Sequence, residues 1–117
     1  MLTQKDIRKN RKLLRDQDRE LALTFKSIGD LNRFRIFRIL AEVPLMSIGS
    51  IAAILEMSAP LTSQHVRVLE SAQLLTKSRT GKIVYLQLNL ENPIVEEIIR
   101  SIRRALKPRT LSKEKAQ

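Results

Sequence analysis

The residues best placed to do chemistry lie between Met57 and Leu69, MSAPLTSQHVRVL, and in the hairpin that follows. Ser63, Gln64 and Arg67 carry a hydroxyl, an amide and a guanidinium spaced to share one helix face. An amide pairs bidentately with adenine N6/N7, and a guanidinium reaches guanine or phosphate. Ser58 opens the segment as an N-cap, with Pro60 in the first turn, where its missing N–H costs little. The expected contact set on this helix is Ser58, Pro60, Leu61, Thr62, Ser63, Gln64, His65 and Arg67. Lys77, Arg79 and Lys82 then bracket a Thr80-Gly81 turn with no acid beside them in the sequence. Cations at a hairpin tip suit phosphate or the minor groove. The competing account of these charges is an ordinary solvated face and a blunted edge hairpin.

Three of these positions carry open alternatives. Thr62 falls in step with Val66 and Leu69, an i, i+4, i+7 line that faces a core, so it can pack inward instead of reaching out. Leu61 suits either a thymine methyl or the neighbouring helix. His65, the one histidine, fits a DNA contact first, a structural hydrogen bond second, and a metal site least, since no thiol accompanies it.

The elements that must hold these groups are legible from caps and periodicity. Ile7, Leu14, Leu21 and Ile28 fall seven apart, a narrow apolar line that fits either a long N-terminal helix packed on a second subunit or a frayed, solvated start that becomes helical near Asp18, with Gly29 ending the helix in the left-handed conformation. Asp30 can cap the next helix, with Phe34, Ile36, Phe37, Ile39 and Leu40 on one broad face. Pro44-Leu45-Met46 offers a short edge strand. Ser47 or Ser50 begins a third helix with Ile51, Ile54 and Leu55 inward, and Glu56-Met57 is the turn into the Met57–Leu69 helix. Two short helices about so tight a turn form a helix-turn-helix. Strands are expected over Leu74–Arg79 and Lys82–Leu88, and Tyr85 is expected to pack within the second. Asn92-Pro93 starts a last helix with Val95, Ile98, Ile99, Ile102 and Leu106 as its stripe, stopped at Pro108.

Composition narrows the function further. A chain of 117 residues with net charge +10 has room for one modest core and attracts polyanions, nucleic acid ahead of an anionic membrane. The absence of cysteine excludes disulfides and thiolate metal sites. Four aromatics, Phe25, Phe34, Phe37 and Tyr85, are too few for a single-strand stacking platform. Met1–Gln17 lacks the apolar core of a signal peptide, and no apolar run spans a bilayer, so a cytoplasmic location is expected. No nucleophile–base pair, glycine phosphate loop or metal cluster is apparent, so an enzyme is not expected and no cofactor is assigned.

The motifs also resemble a known family. Phe25–Ile36, FKSIGDLNRFRI, is similar to the Gly-Asp-x-x-Arg-x-x-Ile opening of the ArsR/SmtB winged-helix repressors. Met57-Ser58 through Thr62-Ser63-Gln64-His65-Val66-Arg67-Val68-Leu69 resembles their recognition helix, and Ser71–Leu75 with Gly81–Tyr85 resembles the path into and through the wing. The likeness covers about residues 20–90. It implies a homodimer that represses transcription at a palindromic operator, in many members released by a metal. This chain departs from both metal patterns: Met46–Ser50 has no thiol, and the last helix has no histidine. The resemblance therefore supports DNA binding without metal sensing.

The expected protein is thus a mainly α (α+β) winged helix-turn-helix of about five helices with a two-stranded wing. Residues 1–19 form a basic helical extension, 20–107 the DNA-binding and dimerisation domain, and 108–117 a basic disordered tail. The first and last helices are expected to pair two copies through Leu14, Leu21, Phe25, Val95, Ile98, Ile99, Ile102 and Leu106. Expected partners are double-stranded DNA, a second copy, and an unknown effector or protein. The rival class is an architectural, RNA-binding or protein-docking winged helix without operator specificity.

Overall fold

The computed structural model describes residues 1–106, and the expected tail at 108–117 lies outside them. Six helices and three strands follow in the order α1 (Gln4–Arg11), α2 (Gln17–Ile28), α3 (Leu31–Glu42), β1 (Met46–Ser47), α4 (Ile48–Leu55), α5 (Ala59–Ser71), β2 (Leu75–Thr80), β3 (Ile83–Leu88) and α6 (Pro93–Ala105). No helix among the described residues is long and apolar enough to cross a membrane.

The caps form where the side chains allow them. Asp30, Ser47, Ser58 and Asn92 each take extended backbone and accept from an amide in the first turn of α3, α4, α5 and α6. Each satisfies a donor that a helix start leaves free. Ile36, Phe37 and Leu40 of α3, Ile51 of α4, Val66 and Leu69 of α5 and Val95 of α6 meet Leu74, Leu75 and Leu86 in one core. The antiparallel sheet runs β1-β3-β2, with Met46 opposite Leu86 and Thr80 opposite Ile83. The hairpin therefore closes on Gly81-Lys82, and Gly81 takes the positive φ of 62° that the turn requires.

The structure corrects several expectations. The described residues hold six helices where about five were expected, and the edge strand expected at Pro44–Met46 forms at Met46–Ser47, paired with β3. The long N-terminal helix is broken. The Asp18 carboxylate accepts from the Arg15 amide at 3.0 Å and begins α2 afresh, leaving Leu14 in the turn with no seam partner. Since α2 starts at Gln17, the boundary expected after residue 19 falls inside a helix. Gly29 is right-handed, with φ −74°. It is small because a Cβ there would lie 3.0 Å from the Phe25 carbonyl oxygen.

The left-handed helix ends belong instead to Glu56 and Gln73, at φ 54° and 63°. At each, the following amide reaches back, Met57 to the Ala52 carbonyl and Leu74 to that of Leu69, both at 3.0 Å. These bonds close the two helix ends that frame α5. Ile54 faces outward, 54% exposed, since Ile51 and Leu55 already fill the inner side of so short a helix. Leu74 precedes β2, and Lys82 sits in the turn, so the strands begin one residue later than expected.

The largest correction concerns α6. Val95, Ile98 and Ile99 are at most 8% exposed and belong to the core of one chain. In the single chain they pack with α3. Ile102 is half-buried against the same core, and Leu106 is exposed. Of the residues expected at the interface, Leu14, Leu21 and Phe25 remain open on the N-terminal side.

Candidate nucleic-acid interface

Helix α5 stands between α4 and the hairpin, with its N-terminal turn exposed. Ser58, Pro60, Leu61, Gln64 and Arg67 reach solvent, and Ser63 is half-exposed. The Ser58 hydroxyl accepts from the Leu61 amide at 3.3 Å, so its first task is the cap. Leu61 is open enough to meet a methyl group. Thr62 is fully buried, and its hydroxyl donates to the Ser58 carbonyl at 2.8 Å. It cannot reach a DNA edge, because its place on the Val66–Leu69 side turns it inward.

The expected order of roles for His65 reverses. Its ring is largely covered, and Nδ1 accepts from Nη1 of Arg33 at 3.2 Å. An acceptor Nδ1 places the ring proton of a neutral imidazole on Nε2. Arg33 also donates through Nε to the Ser27 carbonyl in the last turn of α2. Its amide donates to the Asp30 carboxylate at 3.0 Å, and that carboxylate lies 3.8 Å from His65 Nδ1. The Arg33 amide bond holds the Asp30 carboxyl below its ordinary value of 3.8, against a smaller opposing effect of burial, with the Arg33 charge adding to the lowering. Gly-Asp and Arg33 were legible as a helix start; their tie to His65, 32 residues on, was not.

The wing supplies the second wall. Arg79 and Lys82 are exposed near the tip. Lys77 is not free of acids, as the sequence suggested: Nζ lies 3.0 Å from a carboxylate oxygen of Glu70, on the last turn of α5. Pairing Lys77 with Leu86 places it beside that turn, seven residues from its acid in sequence. Together α5, the start of α4 and the hairpin enclose a groove of about 390 Å³. Ser63, Arg67, Lys77, Ser78 and Arg79 line it over an apolar base of Ile48, Val66 and Val84. Three cations and two hydroxyls along one groove suit a row of phosphates. No group of three or more His, Cys, Asp or Glu side chains that would hold a metal occurs among the described residues.

Residues 30–77 match the family model described as the bacterial regulatory protein, arsR family. Over that segment, 48 of the 117 residues, the chain is similar to the ArsR family. The matched segment runs from the Asp30 cap to Lys77, and so holds the helix-turn-helix and the Asp30–Arg33–His65 cluster. The description of that model is of bacterial regulatory proteins. Solved structures agree in fold. HlyU from Vibrio cholerae is 20% identical with a TM-score of 0.72, covering 80% of this chain and 98% of that one. The transcriptional repressor PagR of Bacillus anthracis is 26% identical with a TM-score of 0.62, covering 73% and 94%. A homodimeric winged helix-turn-helix DNA-binding domain of Mycobacterium bovis, a possible ArsR-family regulator, is 19% identical with a TM-score of 0.66, covering 79% and 86%. No curated protein matches the chain in sequence.

Proposed function

We propose that the chain is a transcriptional repressor that binds a palindromic double-stranded operator as a homodimer. The observation that carries this reading is the groove shared by α5 and the wing, lined by Arg67 and Arg79 together with the Glu70-paired Lys77. Gln64 stands exposed on the helix beside it. In this reading phosphates run along the groove and fix the register, while Gln64 and Arg67 contact base edges and Leu61 a thymine methyl. Arg79 and Lys82 extend the contact from the wing. Blocking promoter access then suffices for repression, and PagR, itself described as a repressor, supports that sense.

Dimerisation is supported by the exposed Leu21 and Phe25 of α2, four residues apart on one face. The Mycobacterium bovis homodimer lends the arrangement further support. Two recognition helices related by a two-fold axis meet successive major grooves about 34 Å apart. The whole chain acts in the cytoplasm with its DNA.

Selection of bound duplexes from a random pool tests the reading. Enrichment of a palindrome with half-sites one helical turn apart is expected. Recovery of unenriched sequence, with equal affinity for any duplex across a salt series, would establish an architectural module instead.

A further inference from the structure

Helix α1 is well made and uncovered. Thr3 and Asp6 close a capping box: the Thr3 hydroxyl accepts from the Asp6 amide at 3.1 Å, and the Asp6 carboxylate accepts from the Thr3 amide at 3.0 Å. Yet none of its eight residues is buried. A helix shorter than about 12 residues is marginal in water without a packed face. Lys5, Arg8, Lys9 and Lys12 recur at i, i+3, i+4 and i+7, one basic stripe, with Leu13 and Leu14 exposed just beyond it. Asp6 and Ile7 are half-covered, and the rest of the helix is open to a partner.

A complementary surface lies close by. The start of α2, the C-terminal end of α5 and the loop into α6 border a groove of about 680 Å³. Leu21, Leu23 and Ile94 supply its apolar lining, and Glu20 and Glu91 supply carboxylates. No residue of α1 lines it, so the chain does not fill its own groove. The groove meets α5 at Ser71–Gln73. That end is about 20 Å, the length of a 13-residue helix, from the N-terminal turn that faces DNA in the proposed function. The groove, with Glu20 and Glu91 and no cation in its lining, therefore lies away from the nucleic acid of that reading.

We propose that α1 of each copy docks in the groove of the partner copy, its basic stripe on Glu20 and Glu91, with Leu13 and Leu14 just past its end against Leu21, Leu23 and Ile94. The inference rests on the homodimer proposed above and adds an exchanged arm to it.

The chain has no cysteine, so introduced thiols report without background. Full-length Arg8→Cys and Glu91→Cys chains carrying different tags, co-expressed and mildly oxidised, are expected to give a disulfide-linked heterodimer on a non-reducing gel. A Lys5→Glu/Arg8→Glu/Lys9→Glu variant is expected to weaken the dimer about 3- to 10-fold by sedimentation, the sum of a few exposed pairs. Pairing that variant with Glu20→Lys/Glu91→Lys chains is expected to restore it. A cross-link that forms only within one chain carrying both cysteines would overturn the exchange in favour of self-docking. An unchanged dimer constant, with weaker and less salt-dependent DNA binding, would overturn it in favour of α1 on flanking DNA. A monomeric wild-type chain at tens of micromolar would defeat the homodimer itself, separately from the arm.

Discussion

Arg33 donates from Nη1 to Nδ1 of His65 across 3.2 Å, and this contact ties the recognition helix to the junction of α2 and α3. The same guanidinium bonds the Ser27 carbonyl, so one side chain fastens three helices. Replacing His65 by leucine leaves an Arg33 donor unmatched in a partly covered site, at a cost of about 1–3 kcal/mol. Thermal denaturation checks that loss. Glutamine keeps an acceptor and is expected to retain most of the stability. A His65→Leu protein as stable as the wild type would show that the bond does not orient α5.

On α5 and the wing, Arg67→Ala and Arg79→Ala are each expected to lower affinity for every duplex and to reduce the log–log salt slope by about 1. Gln64→Ala is expected to act differently. It should relax preference at one base pair by about 1–3 kcal/mol while leaving the salt slope alone. Fluorescence anisotropy across a salt series separates the two behaviours. Thr62→Val, at a buried position, should change stability and not base preference.

The surfaces of α2 and α6 make opposite predictions. Leu21→Glu with Phe25→Glu should yield a folded monomer, since both side chains are exposed in the single chain. Ile99→Ala should instead destabilise the fold by about 2–5 kcal/mol, the usual cost of hollowing a core. Sedimentation and denaturant unfolding together read both.

Asp30 gives the fold an acid limit. Its carboxyl is held below the ordinary 3.8, chiefly by the Arg33 amide. A carboxyl whose folded value is the lower one stabilises above the unfolded value and loses that contribution as pH falls through the folded value. Stability should therefore decline below about pH 4 in the wild type, and Asp30→Asn should flatten that part of the profile. Equal pH profiles for the two proteins below pH 4 would count against the cap's role.

Glu56 holds a left-handed backbone at the elbow of the helix-turn-helix, φ 54°, with its side chain exposed. Such a conformation costs a non-glycine residue about 1–2 kcal/mol, and glycine loses part of that saving to chain entropy. Glu56→Gly is expected to raise stability by roughly 0.5–1 kcal/mol, measured by urea unfolding.

Much of the architecture is legible because its signals are local. Asp30, Ser47, Ser58 and Asn92 are caps whose partners sit two or three residues on, and Gly81 marks a turn of two residues. What escaped the sequence depends on distant residues. Periodicity drew the stripe Val95–Ile98–Ile99 but not which surface it meets, and the small core claimed it. The seven-residue line through Leu14 was real in spacing and unsupported in packing, so Asp18 ended it. His65 looked like a base contact by position, and only the folding of Arg33 onto it assigns the ring to the interior. The charges of the wing read as free until strand register brought Lys77 against Glu70.

That last pair alters how the wing should respond to ions. Lys77 meets Glu70 at 3.0 Å and so carries an internal counter-anion fixed to the recognition helix. A lysine already neutralised from within must exchange that carboxylate for a phosphate, and the released Glu70 then faces the duplex. Less salt is liberated by such an exchange than by a cation that arrives unpaired. Raising ionic strength should accordingly act on the wing through Arg79 and Lys82, while Lys77 makes the hairpin and helix behave as one rigid jaw.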